Sequence, residues 1–235
     1  MICYAFPLAH EAEPLMKRCT QKERFTIGGL SCTLANFRGR PILIALVGMG
    51  MTRAEANTEV IFQYFRPKGF VLAGYGGALI PQLKLGQVVI SSNFSSPEVL
   101  SFLRLLSGFD FTSFCTADEL VSTPERRDWY AQNHQLQVID MESAAVAEVV
   151  FKRSVPLIVV RAISDEYQQT LPTGALAAGF DAVKGRATPL RLLSYLATHP
   201  AEFAPFKKFV AGLSIARNNL TKFLEDLNDE LPSNW

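Results

Sequence analysis

The chain has no uncharged apolar run long enough to cross a bilayer and no excess of either charge: its 235 residues carry 23 Lys and Arg against 22 Asp and Glu. The first absence predicts that nothing spans a membrane. The second gives whole-molecule electrostatics no argument for nucleic acid as a partner. Cysteine is scarce. Cys3, Cys19, Cys32 and Cys115 form no CxxC pair and three lie in or beside apolar segments, which predicts reduced, buried thiols. His10, His134 and His199 are scattered without ligand spacing, so no metal site is expected. Neither glycine cluster is followed by GK[ST] or completes a GxGxxG fingerprint. His10, Glu11 and Glu13 interrupt the one apolar stretch near the N-terminus, so no signal peptide is read and a cytoplasmic protein is expected.

Apolar residues make up 49% of the chain, enough to fill one large α/β core. Met1 to Leu8 reads as a first strand and Pro14 to Cys19 as the start of a helix. Phe25 to Asn36 and Pro41 to Val47 read as strands around Gly39-Arg40. Gly48-Met49-Gly50-Met51-Thr52 is a turn into a helix from Arg53 to Phe65, with Thr52 as N-cap and Glu55 as its capping-box partner. Gly69 to Ala73 is a buried strand that runs into Gly74-Tyr75-Gly76-Gly77. Val88 to Ile90 is another strand, and Phe94 to Phe114 reads as loop with a short helix at Val99 to Leu106. Pro124 to Asn133 is helical, Val138-Ile139 a strand, Glu142 to Arg153 a helix and Leu157 to Ala162 a strand. Strand followed by helix, repeated, predicts a three-layer α/β domain on a mixed, largely parallel sheet. The domain is bounded at residues 1–188; residues 189–235 read as a helical extension packed on it, interrupted by Pro200 and Pro205.

Two carboxylates stand at the carboxyl ends of apolar runs, where an α/β sheet presents polar groups to a ligand crevice. Glu142, in Asp140-Met141-Glu142-Ser143-Ala144-Ala145, opens a helix, where the dipole and free N–H groups favour an acid. It reads either as a plain N-terminal helix acid or as an acceptor for a ribose diol, with Met141 packed on the sugar. Asp165 ends Val159-Val160-Arg161-Ala162-Ile163-Ser164-Asp165. Desolvation there raises its pKa, so it reads either as a general acid or as a salt-bridge partner of Arg161 or a cap for the next segment. Strand alternation sets Arg161, Ile163 and Asp165 on one side and Ser164 on the other. Glu11 and Glu13 follow the first strand at the same rim.

These segments resemble the nucleoside phosphorylase and nucleosidase superfamily, and most of all its methylthioadenosine/S-adenosylhomocysteine nucleosidases. Gly48-Met49-Gly50, Gly74-Tyr75-Gly76-Gly77-Ala78-Leu79 and Leu83-Lys84-Leu85-Gly86-Gln87-Val88-Val89 add to the match, which covers about the first three quarters of the chain. The resemblance implies the purine nucleoside phosphorylase-like α/β/α sandwich and cleavage of a ribosyl N-glycosidic bond through an oxocarbenium-like transition state. It assigns Asp165 to protonating the purine N7 and Glu142 with Met141 to the ribose. Glu11, or Glu13 in a slipped register, would activate water. Ser164, Gly76, Tyr75 and Met49 are implied to line the substrate site. Base-edge contacts would fall on Leu120 and Val121. No cofactor is implied, and a homodimer is.

The sequence also departs from these relatives. Leu120 stands where they stack an aromatic on the base, and Tyr75 where they have a small residue. The arginines with which phosphorylases clamp phosphate are missing from Pro7-Leu8-Ala9-His10-Glu11 and Val71-Leu72-Ala73-Gly74, which favours hydrolysis. A phosphate-dependent phosphorylase, with Arg53 replacing a clamp, and a nucleoside-binding protein without turnover are the alternatives. Leu171-Pro172, Lys184-Gly185-Arg186 and the helical tail resemble the hopanoid-associated branch, which implies a substrate that is 5′-methylthioadenosine-like or adenosylhopane-like. Phe203, Phe206, Phe209, Leu213, Ala216, Leu220, Phe223, Leu224 and Leu227 recur at helical spacing, with Lys207, Lys208, Arg217 and Lys222 nearby. That stripe is expected either to pack on the domain or to touch a membrane surface or a lipid-like substituent.

Overall fold

Four apolar runs become the parallel centre of one sheet: β1 (Ile2–Phe6), β4 (Arg40–Leu46), β5 (Gly69–Ala78) and β10 (Leu157–Asp165). In the computed structural model, which describes residues 1–181, 186–232 and 235, they lie in the order β4-β1-β5-β10. Period-2 alternation sends their side chains to two separate cores. Ile2, Tyr4, Phe6, Ile158 and Val160 face one; Cys3, Ala5, Leu157, Val159 and Ile163 face the other. Helices α1 (Ala9–Arg18) and α3 (Pro97–Leu103) cover the first face, and α2 (Met51–Tyr64) and α5 (Ser143–Phe151) the second. The result is the expected three-layer sandwich on a mixed sheet.

The sheet extends on both sides of this centre. Strands β2 (Thr20–Ile27) and β3 (Leu30–Phe37) add antiparallel to β4. On the far side β6 (Val88–Ser91) pairs antiparallel with β10, and β7 (Phe111–Thr112) parallel with β6. Strands β8 (Phe114–Thr116) and β9 (Val138–Asp140) form a spur on the end of β5. Between β8 and β9 runs α4 (Pro124–His134), with Thr123 as N-cap.

Several expectations are corrected. The strand read over Phe25 to Asn36 is two strands, because Gly28 and Gly29 take positive φ and turn the chain back. The helix expected from Pro14 begins at Ala9. Glu11 caps it by accepting the Leu8 N–H, and Pro14 sits inside it. Thr52 is not an N-cap: Gly50 holds that position, and Thr52 lies in the first turn of α2. The strand expected over Gly69 to Ala73 continues through Gly74-Tyr75-Gly76-Gly77 to Ala78 as β5. The stretch Phe94 to Phe114 contains β7 and the start of β8 besides α3, strands too short to carry a period.

Beyond β10 come α6 (Thr173–Gly179), α7 (Pro189–Thr198) and the long α8 (Phe203–Glu230). Lys184 and Gly185 lie outside the described residues. Pro200 opens a 3-10 turn, but Pro205 does not interrupt α8: it sits in the first turn, where its missing N–H costs nothing. The apolar stripe of α8 divides. Ala216, Leu220, Leu224 and Leu227 are buried in the first core, and the Tyr4 hydroxyl donates to Asn228 Oδ1 at 3.1 Å. Phe203, nearer the start, is 57% exposed. No helix among the described residues is long and apolar enough to cross a membrane. Cys3, Cys19 and Cys32 are buried and free, and Cys115 is free and half-buried.

Because Leu224 belongs to the main core, Leu224→Ala costs about 2–5 kcal/mol. At roughly 2–4 °C per kcal/mol for a chain of this size, thermal melting drops by about 4–20 °C. A melting temperature unchanged by this substitution would show that α8 is not part of the core.

Candidate active site

The carboxyl ends of β1, β5, β9 and β10 open into one cavity of about 630 Å³. Glu11, Met49, Tyr75, Gly76, Leu120, Val121, Met141, Glu142, Ser164 and Asp165 all line it. Glu13 does not. It points outward, pairs with Lys17 at 2.7 Å and lies 3.8 Å from Arg217. Arg53 does not line it either, and the described lining contains no lysine or arginine.

Glu11 stands in the first turn of α1, buried to 3% exposure. Leu8 N–H donates to its Oε2 at 2.7 Å and Tyr75 N–H to its Oε1 at 2.9 Å. Burial, reinforced by the neighbouring Glu142 and opposed by Arg161, pushes its carboxyl up to about 8. Glu142 is the N-cap residue of α5. Gly50 N–H, at the N-terminus of α2, donates to its Oε1 at 2.9 Å, and Arg161 reaches its Oε2 at 3.4 Å. The anion held at that helix end is thus a side chain of the protein itself. Burial, opposed by Arg161, raises Glu142 to about 7.

The ion-pair expectation for Asp165 needs correcting. Its partner is not Arg161 but Arg127 of α4, whose Nη2 donates to Asp165 Oδ2 at 2.6 Å. Arg161, fully buried, donates from Nε to Asp140 Oδ2 at 2.9 Å. Asp140 in turn accepts from Thr116 Oγ1 and from the N–H groups of Glu142 and Ser143. The alternation argument fails because the β5–β10 register slips between Ile163 and Asp165. Ser164 and Asp165 therefore both reach the cavity, with Ser164 Oγ donating to Asp165 Oδ1 at 2.5 Å. Desolvation raises the Asp165 carboxyl, as expected, while Arg127 pulls it down.

The glycines of β5 have a steric purpose. A Cβ at Gly77 would stand 2.9 Å from Asp165 Oδ2, and one at Gly74 would stand 3.0 Å from Glu11 Oε1. Only hydrogen at these positions lets both carboxyls press against the strand. Between them Tyr75 turns its hydroxyl to His10 Nε2 at 2.9 Å. Leu120, half exposed, forms part of the rim.

Sequence reasoning missed Arg127 and the Asp140–Arg161 pair, and it left open whether the C-terminal stripe packs on the domain or meets a lipid-like substituent; part of that stripe belongs to an apolar wall of the cavity. That wall comprises Leu171, Leu176, Phe180, Phe206, Phe209 and Leu213. Helical spacing flagged the phenylalanines, but nothing local says which helix face closes a cavity. No group of three potential metal ligands occurs among the described residues.

A family model described as the phosphorylase superfamily matches residues 2–114 and 109–194. The chain is 24% identical to a 5′-methylthioadenosine/S-adenosylhomocysteine nucleosidase of Lysinibacillus sphaericus, over 67% of this chain and 83% of that one. It is 27% identical to the protein of that name from Actinobacillus succinogenes, over 67% and 82%. Among solved structures, the Helicobacter pylori nucleosidase of the same name superposes with a TM-score of 0.74 at 18% identity, covering 98% of each chain. A futalosine hydrolase of Helicobacter pylori gives 0.74 at 18% identity, covering 98% of this chain and 97% of that one. The two structures share the fold with this chain.

Glu11 binds a proton more tightly in the folded state than in the unfolded one, so stability is lost as pH rises from the ordinary carboxylate range through about 8. Melting temperatures measured from pH 5 to pH 9 fall with pH, and Glu11→Gln flattens that fall. An equal slope in both proteins would mean that Glu11 ionises normally.

Proposed function

The chain belongs to the phosphorylase superfamily, and on that premise we propose that it is a purine nucleosidase, cleaving the ribosyl N-glycosidic bond of an adenosine-type nucleoside with water. The observation that carries the reading is the convergence of Glu11, Glu142 and Asp165 on one cavity whose described lining has acids but no lysine or arginine. A desolvated phosphate dianion needs cationic partners, and water does not.

In this reading Asp165 gives its proton to N7 of the base. The C1′–N9 bonding pair leaves with the base, which departs neutral. Glu142 accepts the ribose hydroxyls, and Met141 packs on the sugar. Glu11 orients the water that attacks C1′ and takes its proton. Only the ionised carboxylate can do this; burial raises its proton affinity, so the base is stronger while its ionised share at neutral pH is smaller. Placement of water and protonation of the leaving group are each worth ~10²-fold or more. The apolar wall opposite these acids supports a nonpolar 5′ substituent, as in 5′-methylthioadenosine or an adenosylhopane-like lipid. The relatives named as nucleosidases support the same reaction class.

Incubation with 5′-methylthioadenosine in phosphate-free buffer is expected to release free adenine, and Asp165→Asn to lower that rate by ~10²-fold or more. Strict dependence on phosphate would overturn hydrolysis. Glu142→Gln is expected to erase most of the preference for ribo- over 2′-deoxyribonucleosides. Unchanged discrimination would place Glu142 outside the sugar site.

A further inference from the structure

Arg127 is fully buried on α4, behind the wall of the cavity rather than in it. One end of its guanidinium, Nη2, reaches Asp165 Oδ2 at 2.6 Å, while the other, Nη1, donates to the Glu166 backbone oxygen. The helix that carries it is fixed to the chain after β10. Leu171 N–H donates to Ser122 O at 2.9 Å, and the Tyr167 hydroxyl donates to Asp128. Both sides of the ion pair are therefore held in register by backbone and side-chain bonds outside the cavity. An exposed pair of this kind would contribute little. A fully desolvated, hydrogen-bonded one is a strong interaction whose strength depends on the charge of the carboxyl.

We propose that Arg127 is a positioning residue for Asp165: it anchors one carboxyl oxygen and stabilises the negative charge that Asp165 acquires as its proton passes to the departing base. This deepens the nucleosidase reading and rests on Asp165 being the acid. Before transfer the guanidinium faces a neutral carboxyl; after it, an anion. The interaction grows along the reaction coordinate, and only interactions that grow in this way accelerate the chemical step. Arg127 also opposes the rise that burial imposes on the Asp165 carboxyl. Its effect is confined to leaving groups that need a proton.

The test compares the native protein, Arg127→Met, Asp165→Asn and the double variant on two substrates. One is 5′-methylthioadenosine. The other is 4-nitrophenyl β-D-ribofuranoside, whose phenolate departs without a proton. Arg127→Met is expected to lower kcat on 5′-methylthioadenosine by ~10²-fold with KM little changed, and to lose less than ~3-fold on the nitrophenyl riboside. The double variant is expected to match Asp165→Asn on both substrates, because both substitutions remove one function. Arg127→Lys, which keeps the charge, is expected to recover part of the lost kcat. Equal losses on the two substrates, or a double variant well below Asp165→Asn, would reduce Arg127 to a structural residue and overturn the proposal. Should Arg127→Met not fold, the double variant, which leaves no unpaired buried charge, carries the comparison against Asp165→Asn. An Asp165→Asn protein with native activity sinks the acid and its anchor together. An inactive Asp165→Asn with additive losses sinks only the anchor.

Discussion

Buried carboxylates are the constraint around which this molecule is organised. Glu11, Asp140, Glu142 and Asp165 are each 5% exposed or less, and all lie at the same end of one sheet. Left alone, such a cluster would be driven to neutrality by desolvation and mutual repulsion. Two fully buried arginines oppose this without cancelling it: Glu142 and Asp165 both stay above the ordinary carboxylate range. Arg161 lies between Asp140 and Glu142, and Arg127 holds Asp165. Glu11, held by two backbone N–H groups, is pushed to about 8 by burial and by the neighbouring Glu142, against Arg161. The protein thereby holds acids of different proton affinity within one cavity, which a stepwise proton transfer requires.

The strand that carries the glycines is the second condition. At Gly74 and Gly77 the backbone of β5 is bare, so neighbouring elements bring carboxyl oxygens to within about 3 Å of where a side chain would begin, and at Gly76 Val138 packs as closely. Glycine in a strand interior weakens the strand by itself. Here β10 pairs with β5 from Phe70 to Gly77, past the point at Leu72 where the β1 pairing ends, and that ladder offsets the loss. The slip opposite Gly77 is the local consequence. It turns two consecutive residues of β10 to the same side, giving Asp165 a hydroxyl neighbour, Ser164.

Helix α8 links the site to the core. Its later turns, from Ala216 to Leu227, fill the same core as Tyr4 and Phe6, while Phe206, Phe209 and Leu213 close the apolar side of the cavity. The rigid part of the helix thus sets the position of the part that faces the cavity. The Tyr75 hydroxyl, bonded to His10, adds a polar seam where the glycine strand meets α1.

Much of this was legible in the residues alone. The apolar runs named the central strands, because a strand buried on both faces must be apolar throughout. Glu142 and Asp165 stood out because they end such runs, and the paired motifs around them identified the family. What the sequence could not supply was every fact that depends on which distant groups meet. Arg127 reads as one of two adjacent arginines on an ordinary helix; only packing makes it the partner of Asp165, 38 residues on. The sequence favoured Glu11 over Glu13 only through the register of a resemblance, and the turn of α1 separates them physically, one inward to the backbone of Tyr75 and the other outward to Lys17. Likewise the slip in β10 reversed a sound alternation argument, since register is a property of two strands and not of one. Local pattern determined which residues are buried; the tertiary structure alone decided which buried charges neutralise one another.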